Sequence, residues 1–203
     1  MKPRFHHTCL ALAALTAIPL AGCLFKSTTP VPVRYFLLAP ISTNEPPAVA
    51  TESLWVGIGP VRMPSYLLRD SVAIRNGTNE IEYLQDTQWG ERLDHCFQRT
   101  VTANLSRLLA SDQVYSGEWG RNQVKVRVYI QVQQFEVDTH GNGILIAHWR
   151  TSPPDSDTPL KSGIARLNRK GPSPHDDPTA IAATLSELAA EFSRTLAQSI
   201  RES

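Results

Sequence analysis

Residues 124–138 read VKVRVYIQVQQFEVD, and their reading decides the fold. Val124, Val126, Val128, Ile130 and Val132 recur at every second position, with Lys125, Arg127, Tyr129, Gln131 and Gln133 between them. A period of two means a strand with one face on a core and the other facing water or a partner. Downstream, the Gly141-Asn142-Gly143 turn leads into ILIAHWRTS (144–152). After the loop PPDSDTP, the segment LKSGIARLNRK (160–170) supplies another antiparallel strand, so this part of the chain is a meander.

Upstream, RYFLLAP (34–40) reads as a strand closed by Pro40, and the Pro- and Ala-rich loop ISTNEPPAVATES follows. LWVGIGPVRM (54–63) again alternates, and SVAIRN (71–76) and EIEYL (80–84) flank an Asn76-Gly77 step that predicts a hairpin. From Gln88 to Ala110 the period lengthens: Trp89, Leu93, Phe97, Val101, Leu105 and Leu108 form the apolar stripe of a helix of about six turns. A short strand around Val114-Tyr115 comes next. The chain closes on a second helix, with Ile181, Leu185, Leu188, Phe192, Leu196 and Ile200 as its stripe, Asp176 or Asp177 as the cap and Pro178 in the first turn. The expected fold is α+β: an antiparallel or mixed sheet of about five to seven strands with two long helices packed on one face.

The N-terminus has a different logic. MKPRFHHT carries Lys2 and Arg4, and the apolar run CLALAALTAIPL (9–20) is too short to span a bilayer, the layout of a secretory signal. Leu20-Ala21-Gly22-Cys23 is similar to a bacterial lipobox, in which small residues admit the peptidase and the thiol takes a diacylglyceryl group. The reading is therefore a signal peptide over 1–22, a lipidated N-terminus and tether over 23–33, and a single periplasmic domain over 34–203. Cys23 is the attachment residue. Lipoproteins of this type carry three acyl chains, and at about 0.8 kcal/mol per buried methylene that anchor is effectively permanent. Leu24, rather than Asp, follows the cysteine, a resemblance that points to the periplasmic face of the outer membrane.

Composition excludes more than it assigns. Without residues 1–22 the chain keeps 18 Lys and Arg against 19 Asp and Glu, a net charge of −1 with His neutral. There is no basic stripe to gather nucleic-acid phosphates. Only Cys96 remains besides Cys9 in the signal and Cys23, so no internal disulfide is expected, and Cys96 reads as a small buried apolar residue. No G-x-S-x-G elbow, H-E-x-x-H, Walker loop or C-x-x-C is present, and His95, His140, His148 and His175 have no metal-ligand spacing. No cofactor is implied. Gly57-Ile58-Gly59 lacks a third glycine and runs on as a strand through Val61, so its glycines serve close packing or a bulge and not a dinucleotide. Asn76-Gly77-Thr78 and Asn104-Leu105-Ser106 match a glycosylation pattern by chance.

PVRMPSYLLRDSVAIR (60–75) leaves two readings open. Arg62, Arg69, Asp70 and Arg75 are either edge charges that deter aggregation or, with Met63, Tyr66, Leu67 and Leu68, a docking surface. The same stretch contributes to a family resemblance. YFLLAP (35–40), VGIGPV (56–61) with Pro64-Ser65-Tyr66-Leu67 and Arg69, the Trp89–Leu109 segment, and the Val124–Glu136 strand followed by Trp149 stand in the order seen in the ABC-type transport auxiliary lipoproteins, the group that contains paraquat-inducible protein C. Phe36 and Asp70 depart from that pattern, which commonly has Tyr and Pro there.

The resemblance implies a non-enzymatic accessory subunit of an MCE-type or ABC-type lipid transport system, working on the envelope from the outer membrane. Its implied partners are an MCE-domain protein of the inner membrane and further copies of itself in a homo-oligomer. On the docking-surface reading of the 60–75 stretch, Tyr66, Leu67 and Arg69 are the expected partner-binding residues. An assembly factor for an outer-membrane barrel protein is the alternative from another class, and a periplasmic hydrolase is the third.

Overall fold

The computed structural model describes residues 31–42, 54–117, 119–120 and 123–202. Cys23, the signal segment and most of the tether therefore lie outside the described residues, as does most of the 41–53 loop. The elements are β1 (Arg34–Phe36), β2 (Val56–Ile58), a 3-10 turn (Ser65–Leu68), β3 (Ser71–Asn76), β4 (Glu80–Trp89), α1 (Leu93–Leu108), β5 (Val114–Ser116), β6 (Val126–Asp138), β7 (Asn142–Ser152), β8 (Lys161–Lys170) and α2 (Thr179–Arg201).

The sheet is organised around β6. One long edge of β6 pairs antiparallel with β7 from Arg127↔Ser152 to Val137↔Gly143, and β7 pairs with β8. The other edge is shared. β2 runs parallel to it at Val126–Val128, Arg62 bridges Gln131, and β3 joins in parallel at Ile74↔Val137. β5 extends the sheet beyond β2, and β4 and β1 extend it beyond β3. The chain from β2 to β3 thus follows a single edge of β6, with the 3-10 turn between the two contacts. Eight strands result among the described residues, more than the five to seven expected, because the three-residue β1 and β5 both join through parallel ladders.

Both helices cover one face of this mixed sheet. Phe97 of α1 meets Phe135 of β6 edge-on at 5.0 Å between ring centroids and Phe192 of α2 at 5.9 Å. α2 also lies close over β7, where a Cβ on Gly143 would stand 2.7 Å from Thr184 Cγ2. Such side chains bury fully: Phe97, Phe135 and Phe192 each retain at most 1% exposure.

β6 keeps its core face through an irregularity. The alternation Val128, Ile130, Val132 would turn Phe135 and Val137 outward, yet both are buried. A bulge between Val132 and Gln134 absorbs Gln133 and restores the face. Gly57 is explained by packing, since the Trp119 ring occupies the place of its missing Cβ at 2.8 Å. Asp177 caps α2 as expected, its Oδ1 accepting the Thr179 N–H at 3.0 Å.

α1 begins later than its apolar stripe suggests. Trp89 is buried, but it closes β4, where it pairs with Phe36 and donates its N–H to the Asp70 carbonyl at 2.7 Å. Two strands therefore claim residues 87–89, and the helix starts beyond Gly90 with 16 residues.

Polar side chains of the helices hold the segment that follows β1. Leu38 N–H donates to Cys96 Sγ at 3.2 Å, Thr100 Oγ1 donates to the Leu38 carbonyl at 3.4 Å, and Ile41 N–H donates to Asn104 Oδ1 at 2.8 Å. Cys96, Thr100 and Asn104 are successive residues at i, i+4 and i+8 on one face of α1. Ser186 of α2 accepts Ala39 N–H at 2.9 Å, and Asn104 Nδ2 donates to Ser193 Oγ at 3.2 Å. An extended segment with no strand neighbour is in this way held through three backbone N–H groups and one carbonyl, with Leu38 buried at its centre.

Candidate functional site

The 3-10 turn Ser65–Leu68 splits its side chains between the two sides of the sheet. Leu67 is turned into the core and is 3% exposed, so it anchors the turn. Tyr66 points the other way and donates its hydroxyl to Glu136 Oε2 at 2.8 Å. Arg69 is exposed, with its guanidinium 4.6 Å from the Tyr83 ring centroid, a cation–π stack. Tyr83 in turn donates its hydroxyl to the Tyr66 carbonyl at 3.2 Å. The structure thus joins Tyr66 and Arg69 in one cluster on the outer side and assigns Leu67 to packing.

At the centre of this cluster is a buried carboxylate. Glu136 has no side-chain exposure, and its oxygens accept from Arg75 Nε at 2.7 Å, Arg75 Nη2 at 2.6 Å, Tyr66 Oη and the backbone N–H of Phe135 at 3.0 Å. A buried charge persists only when paired and hydrogen-bonded, and this one is satisfied on both oxygens. Burial first, and then the adjacent Glu136 charge, push the Tyr66 phenol well above its ordinary range, so it remains a donor.

Sequence reasoning placed Arg75 among the surface charges and did not single out Glu136 or Tyr83. The available signal was Glu136 itself, an acid between Phe135 and Val137 in an otherwise apolar strand end. Cys96 is fully buried, and burial raises its thiol, which leaves it protonated and inert as a nucleophile. Among the described residues no three or more His, Cys, Asp or Glu side chains are grouped to hold a metal.

The cluster is a partly exposed platform of aromatic and guanidinium groups. The family described as ABC-type transport auxiliary lipoprotein component matches residues 35–197, which include every residue of this platform. The chain belongs to that family. The auxiliary lipoprotein fold is shared by a crystal structure of an uncharacterized protein, 21% identical with a TM-score of 0.67, covering 83% of this chain and 99% of the other. A protein of Xanthomonas campestris is 15% identical with a TM-score of 0.64, covering 84% and 94%. At these identities the likeness is one of fold. No curated protein matches the sequence. Among the described residues of this auxiliary lipoprotein, no helix is long and apolar enough to cross a membrane.

Proposed function

We propose that this protein is a non-enzymatic accessory subunit of an MCE-type lipid transport system, held at the periplasmic face of the outer membrane by acyl chains on Cys23. The observation that carries the reading is the family match over 35–197 in a chain that opens with a signal segment and Leu20-Ala21-Gly22-Cys23. The tether 24–33 gives the domain a reach of at most about 35 Å, so the distant end of the system must come to it. Tyr66 and Arg69 then form the contact with an MCE-domain protein of the inner membrane, on a turn braced by Leu67 and Glu136. Confinement to a membrane raises the effective concentration of the domain, so a modest contact suffices, and a homo-oligomer multiplies it.

The test is recovery of the tagged lipoprotein from native membranes in mild detergent, followed by identification of its companions. An MCE protein should come with it and be lost with Arg69→Glu, which touches only an exposed side chain. Recovery of a β-barrel protein in its place would move the function to barrel assembly.

A further inference from the structure

β6, β7 and β8 present two cross-strand rows on the face turned away from the helices. The first is Tyr129–Arg150–Ser162 and the second Gln131–His148–Ile164. With Pro60 and Arg62 they line a cleft of about 550 Å3. Its charge is one-sided: two arginines line it, and no carboxylate does among the described residues.

Those arginines differ from the others on this face. Arg127 is paired with Asp157 at 3.3 Å and with the Ser156 carbonyl at 2.8 Å. Arg150 is fixed without being neutralised, since its guanidinium lies 4.2 Å from the Tyr129 ring centroid and donates to the Asp157 carbonyl at 2.9 Å. Arg62 is exposed, its backbone is pinned to β6 by the Gln131 bridge, and no side-chain ion pair is formed by it among the described residues. Two guanidiniums thus stand at one cleft with no acid among the described residues that line it, a preorganised arrangement for phosphate or carboxylate oxygens.

Much of the remaining cleft lining is apolar, from Pro60, Ile130, Trp149 and Ile164, the last 43% exposed. Beyond Ile164 the face turns cationic again, since Ile146 stands opposite the exposed Arg166. The cleft itself thus joins cationic and apolar groups, which neither a free anion nor an uncharged hydrocarbon requires.

We infer that this cleft binds the anionic head group of a phosphate-bearing amphiphile, held by Arg62 and Arg150, with its hydrocarbon along Ile164 and Trp149. The inference goes beyond the transport reading, because it assigns the domain a ligand of its own and stands or falls without any protein partner.

The experiment uses the full chain with Cys23→Ser, purified without acyl groups and titrated calorimetrically with lysophosphatidylglycerol, lysophosphatidylcholine and glycerol 3-phosphate. Saturable binding of lysophosphatidylglycerol is expected, tighter than either of the others. Arg62→Gln should weaken it by about tenfold, the loss of one charge-assisted hydrogen bond, with thermal unfolding unchanged. Ile164→Asn should weaken the amphiphile and leave glycerol 3-phosphate where it was. Equal binding of glycerol 3-phosphate would mean a free-anion site and overturn the amphiphile. Equal binding of lysophosphatidylcholine would overturn recognition by charge, and no saturable binding of any of the three would remove the site.

Discussion

The two faces of β6 are built from alternate residues of one strand, and they follow different physics. Toward the helices, Val128, Ile130, Val132, Phe135 and Val137 are all at most 3% exposed and contribute through transfer from water and close packing. On the opposite face Arg127 and Glu136 work through directed polar contacts and Tyr129 through cation–π stacking, in which removal of one partner strands another. The first face tolerates changes of shape poorly. The second tolerates loss of a pair better than loss of half a pair. The contacts proposed for this molecule fall where directed interactions leave groups exposed, around Tyr66 and Arg69 and in the cleft at Arg62 and Arg150.

The sharpest break of the helix face is Phe97→Ala. It removes both ring contacts at the junction of α1, α2 and β6, and should cost about 3–5 kcal/mol as a large-to-small core change. Chemical denaturation reads it, and a loss below about 1 kcal/mol would mean that the core is not organised around this ring.

On the outer face, Arg75→Ala leaves Glu136 buried with Tyr66, the Gln134 amide at 3.4 Å and the Phe135 N–H for support, none of them charged. A cost of about 3 kcal/mol is expected, at the low end for a broken buried pair because the Arg75 side chain keeps some exposure. The double change Arg75→Met/Glu136→Leu should recover most of it, since apolar replacement of both partners removes the stranded charge. Failure of the double variant to recover would show that the pair is needed for packing and not only for charge balance.

The smallest effect concerns the end of the strand, where both faces meet solvent. Burial alone would raise the Asp138 carboxyl, but donation from the Asn142 side chain and from the N–H groups of Asn142 and His140 outweighs it and holds the carboxyl below its usual range. A depressed carboxyl contributes stability above its unfolded pKa, about 3.9, and loses it as pH falls through the folded value. Asp138→Asn should therefore lower stability slightly at neutral pH and leave it unchanged at strongly acid pH. Urea unfolding midpoints across that range make the comparison.

Elements with one unambiguous period were legible in the sequence. β6, β7, β8 and α2 stand where alternation or a helical stripe placed them, and the Asn76-Gly77 step closes the β3–β4 hairpin with Gly77 at φ 70°. Trp89 was misread because it suits two patterns: an apolar residue four before Leu93 fits a helix face, and the same residue fits a strand end. Pairing with β1 and β3 decides between them, and those partners lie 17 or more residues away. The bulge at Gln133 was visible only as two adjacent glutamines, a slip in the alternation. Of the candidate site, Tyr66, Arg69 and Arg75 were legible as an apolar and cationic stretch, whereas Glu136 is some 60 residues away and its role depends on contact.

The sequence by itself determined the fold class and the order of its elements, because periodicity and turn residues are local properties of the chain. Tertiary structure alone decided that β2 and β3 share one edge of β6, that Leu67 faces inward while Tyr66 faces Glu136, and that Arg62 meets Arg150 at one cleft. Those facts depend on which distant residues become neighbours. Backbone pairing and burial set that choice over the whole molecule at once, and no window of the sequence contains it.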